Sequence, residues 1–216
     1  MSLPPIHLAS SSPRRKEILR AMGLRFTAGR VDVDEQQHDG EAAHSMVLRL
    51  AAAKAGAADV GENVIVIGAD TAVVLGNEIF GKPRDKQHGL EMLAALSGQT
   101  HEVLTGVAVK SPGGIFKDVS TTDVRFREIS PDEALAYWHS GEPRDKAGAY
   151  AIQGCGGVFV ASIAGSYSGV VGLPVYETGR LLERAGIDGV LVLRQGDIDG
   201  LGEYDLGRVP DQQEIK

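Results

Sequence analysis

The chain has 216 residues, a single cysteine (Cys155) and a formal net charge of −7. A chain of this length buries a core in one domain or two closely joined lobes without disulfides, so the lone cysteine suits a reducing cytosol. The acidic balance argues against a nucleic-acid-binding protein, no apolar run nears the roughly 20 residues of a membrane helix, and no signal peptide is recognisable. We therefore expect a cytoplasmic protein without nucleic-acid or membrane partners.

The first predicted elements are a strand, a serine loop and a short helix. Residues 6–9, Ile-His-Leu-Ala, predict a short strand, and the three serines 10–12 predict a loop. Ser12 is a natural N-cap and Pro13 suits the first helical position. The helix is expected to stop at Gly23.

A second helix, a buried strand and a hairpin are predicted next. Apolar residues recur with helical spacing over about 41–59, and an unbroken apolar run at 64–67 predicts a buried strand. Residues 72–75 and 78–80 flank a Gly-Asn pair and predict a hairpin. A third helix is expected over 84–97.

The second half predicts two long strands and one well-capped helix. The strands cover about 101–110 and 115–128. Ser130 and Glu133 form a capping box around Pro131, so a helix is expected from there to His139.

The last elements decide the expected fold class. A glycine-rich loop and strand are predicted over 146–164, a helix over 174–185 and a closing strand at 190–193. Because hairpins interrupt the βαβ alternation, we expect a mixed α/β fold with a partly antiparallel central sheet flanked by helices. From residue 196 the chain is polar and aperiodic, so we expect a domain over 1–195 and a flexible C-terminal tail over 196–216.

The start of the first helix is a candidate phosphate site. Its unpaired amides carry partial positive charge, Ser10 and Ser12 add hydroxyl donors, and Arg14 and Arg15 can bind phosphate oxygens in a bidentate way. Basic residues in a first turn also oppose the helix dipole unless an anion offsets them. The alternative is an ordinary serine cap with solvated arginines.

Asp70 is the candidate catalytic carboxylate. It directly follows the predicted buried strand, and α/β sheets place catalytic groups at the carboxyl ends of strands. It can ligate Mg²⁺ or Mn²⁺ or accept a proton from water. The alternative, an aspartate that caps a helix or turn, is weakened because a strand is predicted after Thr71.

Two further polar residues lie in turns. Lys82 stands in a rigid Gly-Lys-Pro turn after the hairpin, where it can meet a phosphate. Gln153 has donor and acceptor faces that suit a base edge, and its small neighbours leave room for a flat ring. Either side chain can instead be solvated.

Glu35 and Lys54 are less certain candidates. Glu35 belongs to an acidic loop that is explained equally well as a solvated face, and Lys54 interrupts an alanine-rich helix face where a solvated lysine is the commoner case. The six histidines show no zinc-ligand spacing, and a Gly-x-Ser-x-Gly elbow is absent.

Seven of these short segments, in this order, resemble the Maf family of nucleotide pyrophosphatases. They span about residues 5–185, and although each is a weak signal, together they are specific. The segments are Leu8-Ala-Ser-Ser-Ser-Pro-Arg-Arg15, Gly68-Ala-Asp-Thr71, Gly81-Lys-Pro83, Leu96-Ser-Gly98, Asp145-Lys-Ala-Gly-Ala-Tyr150, Ile152-Gln-Gly154 and Val171-Gly-Leu-Pro174.

The resemblance implies a two-lobed body with a cleft, as in Maf and ITPase-like folds, often a homodimer. It implies Asp70 as proton acceptor and metal ligand, and Arg14, Thr71 and Gln153 as specificity positions of the branch that acts on dTTP and UTP rather than on 7-methyl-GTP. By the same resemblance, Glu35, Lys54 and Lys82 correspond to other polar residues that line the family's cleft. One departure is Ala151, where this branch commonly has glycine.

Physical reasoning leads to the same expected reaction. Water attacks the α-phosphorus, and negative charge builds on the leaving pyrophosphate, so cations are needed at that position. We expect Arg14 and Lys82 to hold the phosphates, Asp70 and Glu35 to hold a divalent Mg²⁺ or Mn²⁺, and Gln153 to pair with uracil or thymine. The resemblance adds a house-cleaning role. The alternatives are a non-catalytic nucleotide sensor in cell division, a nucleic-acid-binding module, and a pyrophosphatase for modified nucleotides.

Overall fold

A computed structural model of the chain describes residues 4–187. The closing strand predicted at 190–193 and the tail predicted at 196–216 lie outside the described residues. Seven strands form one sheet in the order β2-β1-β3-β5-β6-β7, with β4 paired to β3. The strands are β1 (Ile6–Leu8), β2 (Phe26–Ala28), β3 (Ile65–Leu75), β4 (Glu78–Phe80), β5 (Thr100–Ser111), β6 (Gly114–Phe126) and β7 (Val160–Ala164).

Parallel and antiparallel pairing coexist in this sheet. β1 runs parallel to both β2 and β3, whereas β3, β4, β5, β6 and β7 pair in antiparallel fashion. The predicted mixed α/β class with a partly antiparallel sheet is thereby confirmed.

The predicted helices are present within about two residues of their expected ends. Ser12 accepts a hydrogen bond from the Arg15 amide, and both bonds of the capping box at Ser130 and Glu133 are made. The structure adds β2 and α5, which the sequence did not predict. The helices are α1 (Pro13–Ala21), α2 (Ala43–Ala57), α3 (Lys86–Leu96), α4 (Pro131–His139), α5 (Tyr167–Val171) and α6 (Val175–Arg184).

The expectation of two separate strands around Asp70 was wrong. The strands predicted at 64–67 and 72–75 are a single strand, β3, and Asp70 lies inside it opposite Gly106 of β5 rather than after a strand end. β1 ends opposite Ile67, so β3 continues past its parallel neighbour. Asp70 therefore lies just beyond the carboxyl end of β1, where the serine loop leaves the sheet.

Two glycines, Gly68 in β3 and Gly106 in β5, let α2 lie close to the sheet. A Cβ on Gly68 would lie 2.3 Å from the Ala51 carbonyl oxygen, and one on Gly106 would lie 2.4 Å from the Val47 carbonyl oxygen. Both carbonyls belong to α2, so α2 lies directly on the backbone of the two long strands. Glycine serves close packing at these positions, not a turn.

Two apolar clusters share β3 and β5. The first cluster packs β1, α1 and α6 against alternate residues of the two strands, which are Ile65, Ile67, Ala69, Val107 and Val109. The second cluster packs α3, α4 and the Tyr150 segment against Val73 and Val103. The long strands pass from one cluster to the other at Asp70 and Thr71, as expected for two joined lobes. Among residues 4–187, no helix combines the length and apolarity that crossing a bilayer requires.

Candidate active site

A cleft of about 880 Å³ opens where the two clusters meet. All ten residues singled out from the sequence line it, although they come from six separate segments of the chain. They are Ser10, Ser12, Arg14, Arg15, Glu35, Lys54, Asp70, Thr71, Lys82 and Gln153.

Lys54 lies between two carboxylates in the cleft. Its Nζ is 2.6 Å from Oδ1 of Asp70 and 2.6 Å from Oε1 of Glu35. Lys54 is 8% exposed, so the expectation that a solvated lysine is the commoner case was wrong here. The hydrogen bond from Lys54 lowers the pKa of Glu35, against the opposing effect of burial.

The loop that carries Glu35 is tied to α2 by Arg49. Arg49 Nε and Nη2 donate to the two carboxylate oxygens of Glu41 at 2.7 and 2.6 Å, and Nη2 also donates to the Gln36 carbonyl at 2.9 Å. A bidentate arginine pair of this kind has a fixed geometry. The segment next to Glu35 is therefore anchored to the helix that carries Lys54.

The two arginines of α1 have different surroundings. Arg15 Nε donates to the Gly172 carbonyl at 2.8 Å, Nη1 to Ser10 Oγ at 3.3 Å and Nη2 to Thr71 Oγ1 at 3.4 Å. Burial lowers the pKa of Arg15, while the charge of Asp70 opposes that shift. Within residues 4–187, Arg14 makes no ion pair or side-chain hydrogen bond, so its donors face the cleft without protein partners.

Thr71 belongs to a hydrogen-bonded chain that sequence reasoning missed. Its Oγ1 lies 3.0 Å from Oγ1 of Thr105, the residue opposite it on β5. Thr105 Oγ1 in turn donates to the Gly169 carbonyl at 2.7 Å. The contact between Thr71 and Thr105 could be inferred only from the pairing of β3 with β5. Gly169 is 64 residues from Thr105 in sequence.

The loop that carries Gln153 is held by a pair that was also missed. Glu142 accepts from the amides of Cys155 and Gly156 at 2.9 and 3.0 Å and from Tyr137 Oη at 2.7 Å. Tyr137 Oη itself accepts from the Ala151 amide at 3.0 Å. Burial opposes the charge of Glu142, but the hydrogen bonds prevail and lower its pKa. Both ends of the exposed Gln153 loop are thus fixed.

Lys82 is exposed in the turn after β4 and lines the cleft. The Gly81 carbonyl next to it accepts from the Gly148 amide at 3.1 Å, which joins the Lys82 turn to the segment that follows Lys146. Lys146 also lines the cleft and pairs with Asp145. Several cations therefore surround the space in front of Asp70.

The carboxylates fit a hard divalent cation only with help from a substrate. Residues 4–187 contain no cluster of three or more His, Cys, Asp or Glu that could hold a metal. Asp70 and Glu35 offer oxygen ligands, which Mg²⁺ and Mn²⁺ prefer, and Mg²⁺ is usually bound by one or two carboxylates with water and phosphate completing its shell. The donor set is that of a metal shared with a phosphorylated substrate.

Comparison with known proteins agrees with the pattern of short segments. A family profile described as "Maf-like protein" matches residues 5–185. The chain belongs to the Maf family. Relatives named "dTTP/UTP pyrophosphatase" include those of Yersinia pestis bv. Antiqua, 50% identical over 82% of this chain and 91% of the relative, and Saccharophagus degradans, 49% identical over 82% and 87%.

A third relative of this Maf protein, from Methylococcus capsulatus, has the same name and is 50% identical over 83% of this chain and 90% of its own. Among solved structures, the Ham1 protein of Staphylococcus aureus is similar, with a TM-score of 0.41 and 16% identity over 59% of this chain and 72% of its own.

Proposed function

We propose that this Maf protein is a nucleoside triphosphate pyrophosphatase that hydrolyses dTTP and UTP, and related modified pyrimidine nucleotides, to the monophosphate and pyrophosphate. The names of its relatives support the reaction and the substrate class. The expected homodimer, cytoplasmic location, house-cleaning role and absence of nucleic-acid partners stay predictions.

The observation that carries the proposal is the buried Lys54 between Asp70 and Glu35 in a cleft lined by further cations. A protein that only binds a nucleotide needs cations for the phosphates but has no use for a carboxylate held beside them. Asp70 is the proton acceptor in this proposal, and it takes the proton of the water that attacks the α-phosphorus. Lys54 keeps the Asp70 oxygens in one orientation and offsets their negative charge as the triphosphate enters.

The phosphates are assigned to the basic side of the cleft. Arg14 contributes a guanidinium without protein partners, Lys82 contributes an exposed ammonium, and the first turn of α1 behind Ser12 contributes amides and a partial positive charge. These groups oppose the charge that builds on the leaving pyrophosphate. Gln153 is assigned to the pyrimidine edge.

Enzymes of this kind generally use a divalent cation, and Asp70 and Glu35 would hold it. When bound, the cation polarises phosphate oxygens and lowers the pKa of coordinated water. Lys54 contacts one oxygen of each of these carboxylates, Oδ1 of Asp70 and Oε1 of Glu35, and so holds the two side chains facing each other.

The decisive experiment measures pyrophosphate release from a panel of nucleoside triphosphates with Mg²⁺ or Mn²⁺. Wild type is expected to release pyrophosphate and monophosphate in equal amounts, fastest from dTTP and UTP. Asp70→Asn keeps the side-chain shape but removes the base, so kcat should fall by about 100-fold or more. Asp123→Asn, which changes an exposed strand carboxylate on β6, is the matched control and should retain activity.

Near-normal turnover by Asp70→Asn would exclude Asp70 as the base. If a triphosphate binds to wild type and no pyrophosphate appears with either metal, the non-catalytic nucleotide sensor becomes the better account.

A further inference from the structure

The hydrogen bonds around Thr71 form a chain in which each donor and acceptor can be assigned, and the assignment determines what Thr71 can offer a substrate. The chain runs from Arg15 through Thr71 and Thr105 to the Gly169 carbonyl, and it lies where β3 and β5 pass between the two apolar clusters. Thr105 is fully buried, at 0% exposure, whereas Thr71 lines the cleft. Thr105 itself does not line the cleft, and its hydroxyl contacts that of the cleft-lining Thr71.

The positions of the hydroxyl protons follow from the two ends of the chain. A backbone carbonyl only accepts, so Thr105 donates its single proton to Gly169. The 3.0 Å contact between the two threonines then needs its proton from Thr71. A guanidinium only donates, so Arg15 takes one lone pair of Thr71 Oγ1. Thr71 Oγ1 therefore has one lone pair left, and it can only accept a further hydrogen bond.

We infer that Thr105 is a positioning residue that fixes the Thr71 hydroxyl as a hydrogen-bond acceptor toward the substrate, so that Thr71 selects a substrate group with an N–H or O–H donor. This inference rests on the proposed pyrimidine triphosphate as substrate. Two groups of that substrate carry such a donor, the N3–H of uracil or thymine and a sugar hydroxyl. Ionised phosphate oxygens and N3 of cytosine are acceptors and do not match.

The neighbourhood of Thr71 is too rigid for the hydroxyl to change roles easily. Arg15 ties Thr71 to the Gly172 backbone, because its Nε donates to the Gly172 carbonyl at 2.8 Å and its Nη2 donates to Thr71 Oγ1 at 3.4 Å. Releasing the Thr71 proton would leave the buried Thr105 oxygen without its donor, and unsatisfied buried polar groups are unfavourable.

The test compares substrates that differ in one donor. Ratios of kcat/KM are measured for UTP against CTP, in which N3 is an acceptor, and for UTP against 3′-deoxy-UTP, which lacks a sugar donor. Where an analogue turns over too slowly, its inhibition constant as a competitor of UTP replaces kcat/KM. Thr105→Val, Thr105→Ser and Thr71→Val are compared with wild type.

In Thr105→Val the Thr71 proton is free to turn toward the cleft, so one of the two ratios should fall by about 2- to 10-fold, the range expected for one neutral hydrogen bond. Thr105→Ser restores the chain and should keep the wild-type ratio. Thr71→Val keeps the Thr105–Gly169 bond and should lower the same ratio. A fall in the CTP ratio identifies the base as the donor, and a fall in the 3′-deoxy ratio identifies the sugar.

A purely structural role for Thr105 would slow all substrates together and leave both ratios unchanged, which overturns the inference. If Thr105→Val does not fold, unchanged ratios in Thr71→Val overturn it equally. Absence of pyrophosphate release from UTP by wild type is a different result, because it contradicts the proposed function itself.

Discussion

Replacement of Glu142 by glutamine tests how the Gln153 loop is held. The carboxylate of Glu142 accepts three hydrogen bonds, two at Oε1 from Tyr137 Oη and the Gly156 amide, and one at Oε2 from the Cys155 amide. Glutamine has nearly the same shape but only one acceptor oxygen. If the glutamine oxygen keeps the first two bonds, the glutamine NH₂ group faces the N–H of Cys155. Both groups are donors, so no hydrogen bond forms between them.

The size of the effect follows from that count. A hydrogen bond to a charged group contributes about 1.5–3 kcal/mol. Because Glu142 is partly exposed, one lost bond and two weakened ones should cost about 2 kcal/mol of unfolding free energy, near the lower end of that range. For a chain of this length, this corresponds to a fall in Tm of about 4–8 °C.

The same change should weaken substrate binding more than chemistry. Asp70 and Lys54 do not contact Glu142, so kcat should change little, whereas the looser Gln153 loop should raise KM for UTP by about 3- to 10-fold, the equivalent of up to 1.4 kcal/mol. Thermal melts and steady-state pyrophosphate release measure the two effects. Glu91→Gln, an exposed change on α3, is the control and should match wild type. A Glu142→Gln protein with wild-type Tm and KM would refute the reasoning.

Two further predictions concern α2. Gly106→Ala puts a methyl group 2.4 Å from the Val47 carbonyl, so α2 or β5 must move; we expect a loss of about 1–3 kcal/mol in denaturant unfolding and slower turnover, whereas Gly56→Ala, which meets no atom within 4 Å, should not destabilise. An equally stable Gly106→Ala protein would contradict the close packing. Lys54→Met removes the hydrogen bond that keeps the pKa of Glu35 below its ordinary value of 4.5. In wild type the stabilisation from this pair is complete above pH 4.5 and is lost as the pH falls through the depressed pKa. Carboxyl NMR titration should find the Glu35 pKa moved up toward 4.5 in the variant, and an unchanged titration would count against the ion pair.

Local signals in the sequence predicted most of the fold correctly. The caps at Ser12 and Ser130 depend on residues within one helical turn, and the long strands depend on apolar runs, so both are visible in short windows. β2 was missed because its three residues, Phe26–Ala28, are half exposed at the sheet edge and carry no alternation. The two strands expected at 64–67 and 72–75 are continuous because Gly68, which lies between them, lets α2 pack directly on β3.

The candidate site could be predicted as a set of residues but not as an arrangement. Asp70, Lys54 and Glu35 were singled out, yet the central position of the lysine depends on α2 lying across β3. The contact between Thr105 and Gly169 and that between Glu142 and Cys155 join distant segments, and no short window contains such pairs. The same limit hid the difference between Arg14 and Arg15.

The charges that line the cleft have a consequence for how a substrate arrives. Six basic and four acidic side chains line it, a balance of +2, whereas the other charged side chains of residues 4–187 sum to −5. A polyanion approaching from most directions meets repulsion, and attraction begins only within about one Debye length of the cleft mouth, about 8 Å at physiological ionic strength. The acidic surface of the described residues thereby orients an approaching nucleotide, since its triphosphate end is attracted to the basic side of the cleft. The basic side chains of the cleft are Arg14, Arg15, Arg30, Lys54, Lys82 and Lys146.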